Sequence, residues 1–172
     1  TTTPDFAAGR QLYEAHCTSC HGDAGRADVP QADAMTPPPT NFHDPARRRN
    51  LSPYRAFNVT RFGIEGTSMR AFTSLDTEEL WDLAFFVNAL AHGSPDRPEE
   101  TRPAAMPEDF RPSLADLARW KDKTLRARLA EAGVPKAVRD AAMAYLRRVA
   151  PFETGEPATG QFDEVSTSGL SG

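Results

Sequence analysis

Residues 15–22 read Ala15-His16-Cys17-Thr18-Ser19-Cys20-His21-Gly22 and hold both cysteines of the chain. Two cysteines three positions apart sit on adjacent corners of one helical turn. A histidine directly after them can aim its ring at whatever the sulfurs hold. This is the C-x-x-C-H spacing of covalent haem attachment. Each thiol would form a thioether with a haem vinyl, and His21 would become the proximal iron ligand. The rival chemistries fit less well. A zinc site needs four ligands, normally including a second close Cys or His pair, and the sequence offers none. A thioredoxin-like dithiol sits between a strand and a helix, whereas these flanks read as helix before and loop after. A disulfide across two residues closes a tiny loop and adds little stability.

An iron held by one histidine has a sixth position, and its ligand is expected well downstream, in a loop folding over the opposite haem face. Of the four methionines, Met69 in "GIEGTSMRAF" is the first choice. Gly63 and Gly66 allow tight turns there, and the segment ends just before a strong helix. Met35, beside Pro37-Pro38-Pro39, is the second choice, while Met106 and Met143 read as linker and core. His43 in "NFHDP" is the histidine alternative, set against a plainer role bonding backbone or a haem propionate. His16 lies on the proximal side, and His92 reads as a cation at a helix C-terminus. The expected cofactor is one covalently attached haem c, bound by Cys17, Cys20, His21 and Met69, with His21 and Met69 on the iron and no catalytic residue.

Working outward, Thr3-Pro4-Asp5 reads as a helix start with Thr3 as the cap. Phe6, Gly9, Tyr13 and Cys17 then recur at helical spacing. A glycine inside a helix costs about 1 kcal/mol against alanine, so Gly9 marks a place where another helix crosses closely. The crossing partner is expected over 76–91, "DTEELWDLAFFVNALA", with Asp76 and Glu79 as a capping box and Leu75 and Leu80 as a staple. Leu80, Leu83, Ala84, Val87 and Leu90 make its apolar face. A further helix over 53–62 starts with Ser52 as cap and Pro53 at its first position. Residues 23–50 show no sustained period and read as a long ordered loop. Tyr13, Tyr54, Phe57, Trp81 and Phe85 are candidates for an aromatic wall around the haem, or plain core.

At 172 residues the chain suffices for one domain plus an appendage, or two small domains. Residues 93–112 turn to Pro, Glu, Asp and Arg and read as a linker. Order returns over 113–152: Ser113 caps "LADLARW", Asp122 is placed to cap "KTLRARLAEA", Gly133 ends that helix, and "KAVRDAAMAYLRRVA" follows. Residues 153–172 read as a flexible tail. A net charge of −4 with no dominant basic stripe argues against nucleic acid. "LWDLAFFVNALA" is broken by Asp82 and Asn88 and is too short to span a bilayer. Thr1-Thr2-Thr3-Pro4 lacks the basic start and apolar run of a leader, so an exported protein would be in its mature or trimmed form. Arg47-Arg48-Arg49, followed by Arg55 and Arg61, reads either as a docking patch for an acidic partner, as a propionate contact, or as a solvated loop.

The CTSCH motif, the segment "GTSMRAF" and the helix ending "ELWDLAFFVNAL" resemble a class I mono-haem cytochrome c. The stretches "TPPPTNFHDPARRRNLSPYRAFNVTRFGIEGTSMRAF", "LADLARWKDKTLRARLAEAGV" and "AAMAYLRRVAPF" are similar to the periplasmic cytochrome segment fused in some bacteria to high-affinity iron permeases. Arg70 stands where such proteins usually have proline after the ligand methionine. The resemblance covers about residues 9–152 and implies an all-α fold; with the composition shifts above, the chain divides into a cytochrome c domain at 1–92, a linker at 93–112, a helical appendage at 113–152 and a tail at 153–172. The resemblance implies one-electron transfer rather than enzyme activity, between a protein donor and acceptor at a membrane. The destination would be an iron permease or a respiratory or photosynthetic complex. The alternatives are a haem gas sensor or enzyme with a displaceable sixth ligand, and an assembly subunit docking through 113–152. Because thioether attachment in bacteria takes place outside the cytoplasmic membrane, a periplasmic or periplasm-facing location is expected.

Overall fold

Asp5, not Thr3, caps the first helix. Its carboxylate accepts the backbone N–H groups of Ala7 and Ala8, and its own N–H donates to Asp82 Oδ1 at 2.9 Å. Pro4 is buried ahead of the helix instead of opening it, which shifts the start from the expected position. The computed structural model describes residues 3–153. Among these, every regular element is helical: α1 (Phe6–His16), α2 (Thr18–His21), α3 (Pro30–Asp33), α4 (Pro45–Arg48), α5 (Pro53–Phe62), α6 (Thr77–Leu90), α7 (Leu114–Arg119), α8 (Asp122–Glu131) and α9 (Arg139–Arg148), with 3-10 turns flanking α9. The fold is all-α, as the sequence implies. The stretch 23–50 has no strand, but it does contain the short helices α3 and α4, each opened by a proline at its first turn.

The α1–α6 crossing organises the core. A Cβ on Gly9 would fall 2.7 Å from the Phe86 Cβ and against the Asp82 backbone, so the close approach expected from this glycine is present. Phe6 and Tyr13 of α1 meet Phe86 at 5.2 and 5.5 Å between ring centroids. The other side of α6 takes α5, where Phe57 stacks on Trp81 at 4.3 Å. Asp76 and Glu79 form the expected capping box, and Ser52 caps α5 through the Arg55 N–H.

The later residues join the same apolar cluster: Met106, Leu114, Leu117, Leu125, Leu129, Met143 and Leu146 are buried in it together with α6. Phe152 lies edge-on to Phe6 at 5.2 Å. Met106, from the stretch whose composition reads as linker, is only 2% exposed. Asp122 does not cap α8; Lys121 occupies that position without a side-chain bond. The Asp122 carboxylate instead turns inward, accepting from His92 Nε2 at 2.7 Å and from Arg147 Nε at 3.0 Å. His92 is therefore part of a buried polar network as well as standing at a helix end. The expected tail lies outside the described residues apart from Glu153. No helix of the described residues is long and apolar enough to cross a membrane.

Candidate functional site

Cys17 ends α1, and α2 carries Cys20 and His21, so one continuous turn presents all three side chains. The Cys20 and His21 N–H groups both donate to the Cys17 carbonyl, at 3.2 and 2.9 Å. Neither sulfur is in a disulfide, and both residues are half-buried. Burial, helped by the neighbouring Cys20, pushes the Cys17 thiol up to about 12. A redox dithiol needs the opposite, a thiolate stabilised by nearby positive charge. Among the described residues, no three His, Cys, Asp or Glu side chains come together as a metal-binding group, which removes support from the zinc alternative.

His21 is gripped from two sides. Its Nδ1 lies 3.1 Å from the Thr40 carbonyl, and its ring stacks on Phe42 at 4.7 Å with 16° between planes. A proton on Nδ1 satisfies that carbonyl and leaves Nε2 as the lone-pair donor, the tautomer a metal-bound histidine requires. Burial lowers the His21 pKa, with the Thr40 bond partly opposing, so the neutral ligating form is favoured. The segment supplying this grip is fastened to the turn after α2. Phe42 N–H donates to Gly25 O at 2.8 Å, and Ala27 N–H to His21 O at 2.8 Å. His43 Nε2 is bonded to Ala24 O at 2.7 Å, so this histidine takes the backbone role that the sequence left open beside distal ligation. Thr40 and Phe42 escape sequence reasoning because a carbonyl acceptor has no residue signature and a lone loop phenylalanine looks like any other.

Met69 sits half-buried in the loop between α5 and α6. Ile64 N–H donates to Met69 O at 2.8 Å and Phe72 N–H to Thr60 O at 2.9 Å. The Thr67 hydroxyl donates to Ile64 O at 2.8 Å and accepts from Met69 N–H at 3.1 Å. Gly63, at φ 72°, lets the loop fold back so closely that a Cβ there would lie 2.7 Å from Met69 O. Phe72 meets the His16 ring at 5.9 Å, which draws the Met69 segment alongside the start of the CTSCH turn. Arg70 lies over Phe72, 5.2 Å from the ring centroid. Met106 and Met143 are buried in the core, whereas Met35 and Met69 are half-exposed.

The residues present fit a haem. Two free thiols and a neutral imidazole emerge from one turn. The segment after α5 carries a thioether, Met69, and at the end of α5 and just beyond it stand the two exposed large apolar side chains among the described residues, Phe62 at 60% and Ile64 at 42%. Tyr13, Phe57, Trp81 and Phe85 are packed within the helix interfaces, so most of the expected aromatic wall is core. The Tyr13 hydroxyl donates to Gly22 O at 2.7 Å, tying α1 to the end of the haem-attachment turn.

Comparison with known proteins agrees with this chemistry. The family described as Cytochrome c matches residues 6–91, half of the 172-residue chain. A thiosulfate dehydrogenase from Thiomonas intermedia (strain K12) is 28% identical over 102 residues, covering 58% of this chain but 29% of that protein. The match thus spans less than a third of the relative's length. Among solved structures, the Kuenenia stuttgartiensis reducing HAO-like protein complex Kustc0457/Kustc0458 is 18% identical with a TM-score of 0.42, covering 48% of this chain and 41% of that one. The chain belongs to the cytochrome c family, carries covalently bound haem c, and serves haem-based electron transfer.

Proposed function

We propose that this protein is a one-electron carrier attached to its haem through Cys17 and Cys20, with His21 and Met69 on the iron. The observation that carries this reading is the Met69 loop, fastened by backbone bonds from Ile64 to Met69 and from Phe72 to Thr60. A ligand loop tied at both ends keeps the sixth position filled. Haem ligated in this way supplies reversible one-electron exchange, with methionine favouring the reduced state. The Thr40 carbonyl holds the His21 proton on Nδ1, and Phe42 holds the ring plane. In this reading Phe62 and Ile64, exposed beside the Met69 segment, would pack on the haem and shield that side from water.

The destination we propose is a membrane complex facing the bacterial periplasm, either an iron permease, as the sequence resemblance implies, or a respiratory or photosynthetic complex. A second reading has its own support. The relative from Thiomonas is named a thiosulfate dehydrogenase, so a haem with a displaceable sixth ligand, working in an enzyme, is the competing function. Visible spectra separate the two. The carrier reading expects a weak far-red sulfur-to-iron band in the ferric protein and no change when carbon monoxide is added to the ferrous protein. Met69→Ala should lose the band and bind carbon monoxide. Rapid carbon monoxide binding by the unsubstituted protein would transfer the assignment to the enzyme or sensor. Reading the gene beyond residue 172 tests the permease pairing: long hydrophobic helices there support it, and a stop codon leaves a separate carrier.

A further inference from the structure

We propose that the cationic groove between α4 and α8 is a docking site for an acidic segment of a partner protein. The groove has a volume of about 420 Å³ and is lined by Pro45, Arg48, Arg49, Asp122, Lys123 and Arg126. Its cations come from two distant stretches, and the backbone sews them together. Asp122 N–H donates to Leu51 O at 3.2 Å and Lys123 N–H to Arg49 O at 3.1 Å. The one acid among the lining residues is turned away from solvent, with Asp122 5% exposed and bonded to His92 and Arg147. Arg48 is half-buried and donates to the Ala91 carbonyl at 3.4 Å. Arg126 is held by the exposed Asp140 at 2.6 Å. Arg49 and Lys123 are exposed, and neither is among the ion pairs formed by the described residues.

The chemistry selects the occupant. Three of the four cations are arginines, whose planar forks match carboxylates bidentately. The groove holds no aromatic side chain on which a base could stack, and the chain as a whole is acidic at −4, so nucleic acid is disfavoured. Arg49, Lys123 and Arg126 stand exposed at the surface instead of closing around a point, which suits side chains spaced along a peptide better than one small ion. The net negative charge of the chain disfavours unspecific binding of a polyanion, so a cluster of cations in one groove is what selects the position. The site does not depend on which residue fills the sixth iron position.

The test uses the haem-loaded protein and a fluorescent oligoglutamate peptide, read by anisotropy at low ionic strength. Saturable binding that weakens with added salt is expected. Arg49→Glu combined with Lys123→Glu should lower the affinity by at least about tenfold, with the visible haem spectrum unchanged. Lys136→Glu combined with Arg111→Glu changes the net charge equally outside the groove and should lower it far less. Equal losses from the two pairs would overturn the assignment, as would absence of binding at low salt. Saturable binding of inorganic pyrophosphate without binding of oligoglutamate would also overturn it, in favour of a small-anion site.

Discussion

Arg147 offers the sharpest test of how the late helices are held. It is 1% exposed, and its guanidinium donates from Nε to Asp122 at 3.0 Å, from one terminal nitrogen to Leu117 O at 2.7 Å and from the other to Trp120 O at 2.6 Å. Burial lowers the pKa of Arg147 and of His92. Burial alone would raise that of Asp122, but His92 and Arg147 together outweigh it and hold it below the usual carboxylate value. The network is therefore a charged arginine and carboxylate with a neutral histidine donating to the second carboxylate oxygen. Arg147→Met fills similar space but strands a buried carboxylate and two carbonyls. Breaking a buried pair from one side costs about 3–5 kcal/mol. Urea unfolding of the haem-loaded protein, followed by far-ultraviolet dichroism, should register that loss. Adding Asp122→Leu should return part of it, because the stranded charge goes with it, while the Leu117 and Trp120 carbonyls remain unpaired at about 1–3 kcal/mol each. A loss below about 1 kcal/mol, or a double variant as unstable as the two single losses summed, would refute the coupling.

Gly9→Ala should destabilise despite better helix propensity, by about 1–3 kcal/mol from overpacking against Asp82 and Phe86; thermal melting checks it, and a gain would mean that the helices part freely. Asp82 is buried, which together with the nearby acids Asp5, Glu78 and Asp76 pushes its carboxyl up to about 6 against the Asp5 N–H bond that opposes it. Its contribution is therefore fully present below about pH 4 and is lost as pH rises through about 6. Asp82→Asn should flatten that slope and stabilise the protein above pH 6 by about 1 kcal/mol once solvent screening is allowed for, as measured by denaturation across pH. Thr67→Val removes both loop bonds made by the hydroxyl; at about 1 kcal/mol each, about 2 kcal/mol in all, imidazole should displace the proposed Met69 ligand roughly 30-fold more readily in a visible titration. Phe42→Leu removes the ring stacked on His21; a loss near 1 kcal/mol and altered ferric electron-resonance g-values are expected, and identical g-values would deny Phe42 a positioning role.

What could be read from the sequence follows from how local each signal is. The span and cap of α5 were legible because Ser52 and Pro53 act within one turn. The capping box of α6 was legible for the same reason, and Gly9 announced the crossing because a helix-interior glycine has few other uses. The start of α1 is not legible, because Thr3 and Asp5 are both sound caps and what decides between them is a bond from Asp5 to Asp82, in a helix 77 residues away. Within the site, the CTSCH turn identifies its own chemistry. The carbonyl of Thr40 does not, since nothing in a threonine says where its backbone will lie. Asp122 hides its role for a related reason: an acid at the start of a helix looks like a cap whether it faces its own N–H groups or a buried arginine.

The inward turn of the Asp122 carboxylate bears on the surface as well as the core. Had the Asp122 carboxylate stayed on the outside of α8, it would lie beside Arg49 and Lys123 and offset their charge. Turned inward, it is spent on His92 and Arg147, and the groove above it keeps its cations. The same backbone bonds, Asp122 to Leu51 and Lys123 to Arg49, fix both outcomes by setting where α8 begins against the chain leading into α5. A buried network and an exposed cationic groove are thus two faces of one junction. Substitutions that loosen the network should spread Arg49 and Lys123 apart, weakening oligoglutamate binding without removing a single surface charge. Arg147→Met, which touches no groove residue except through Asp122, is the variant in which that distinction can be measured.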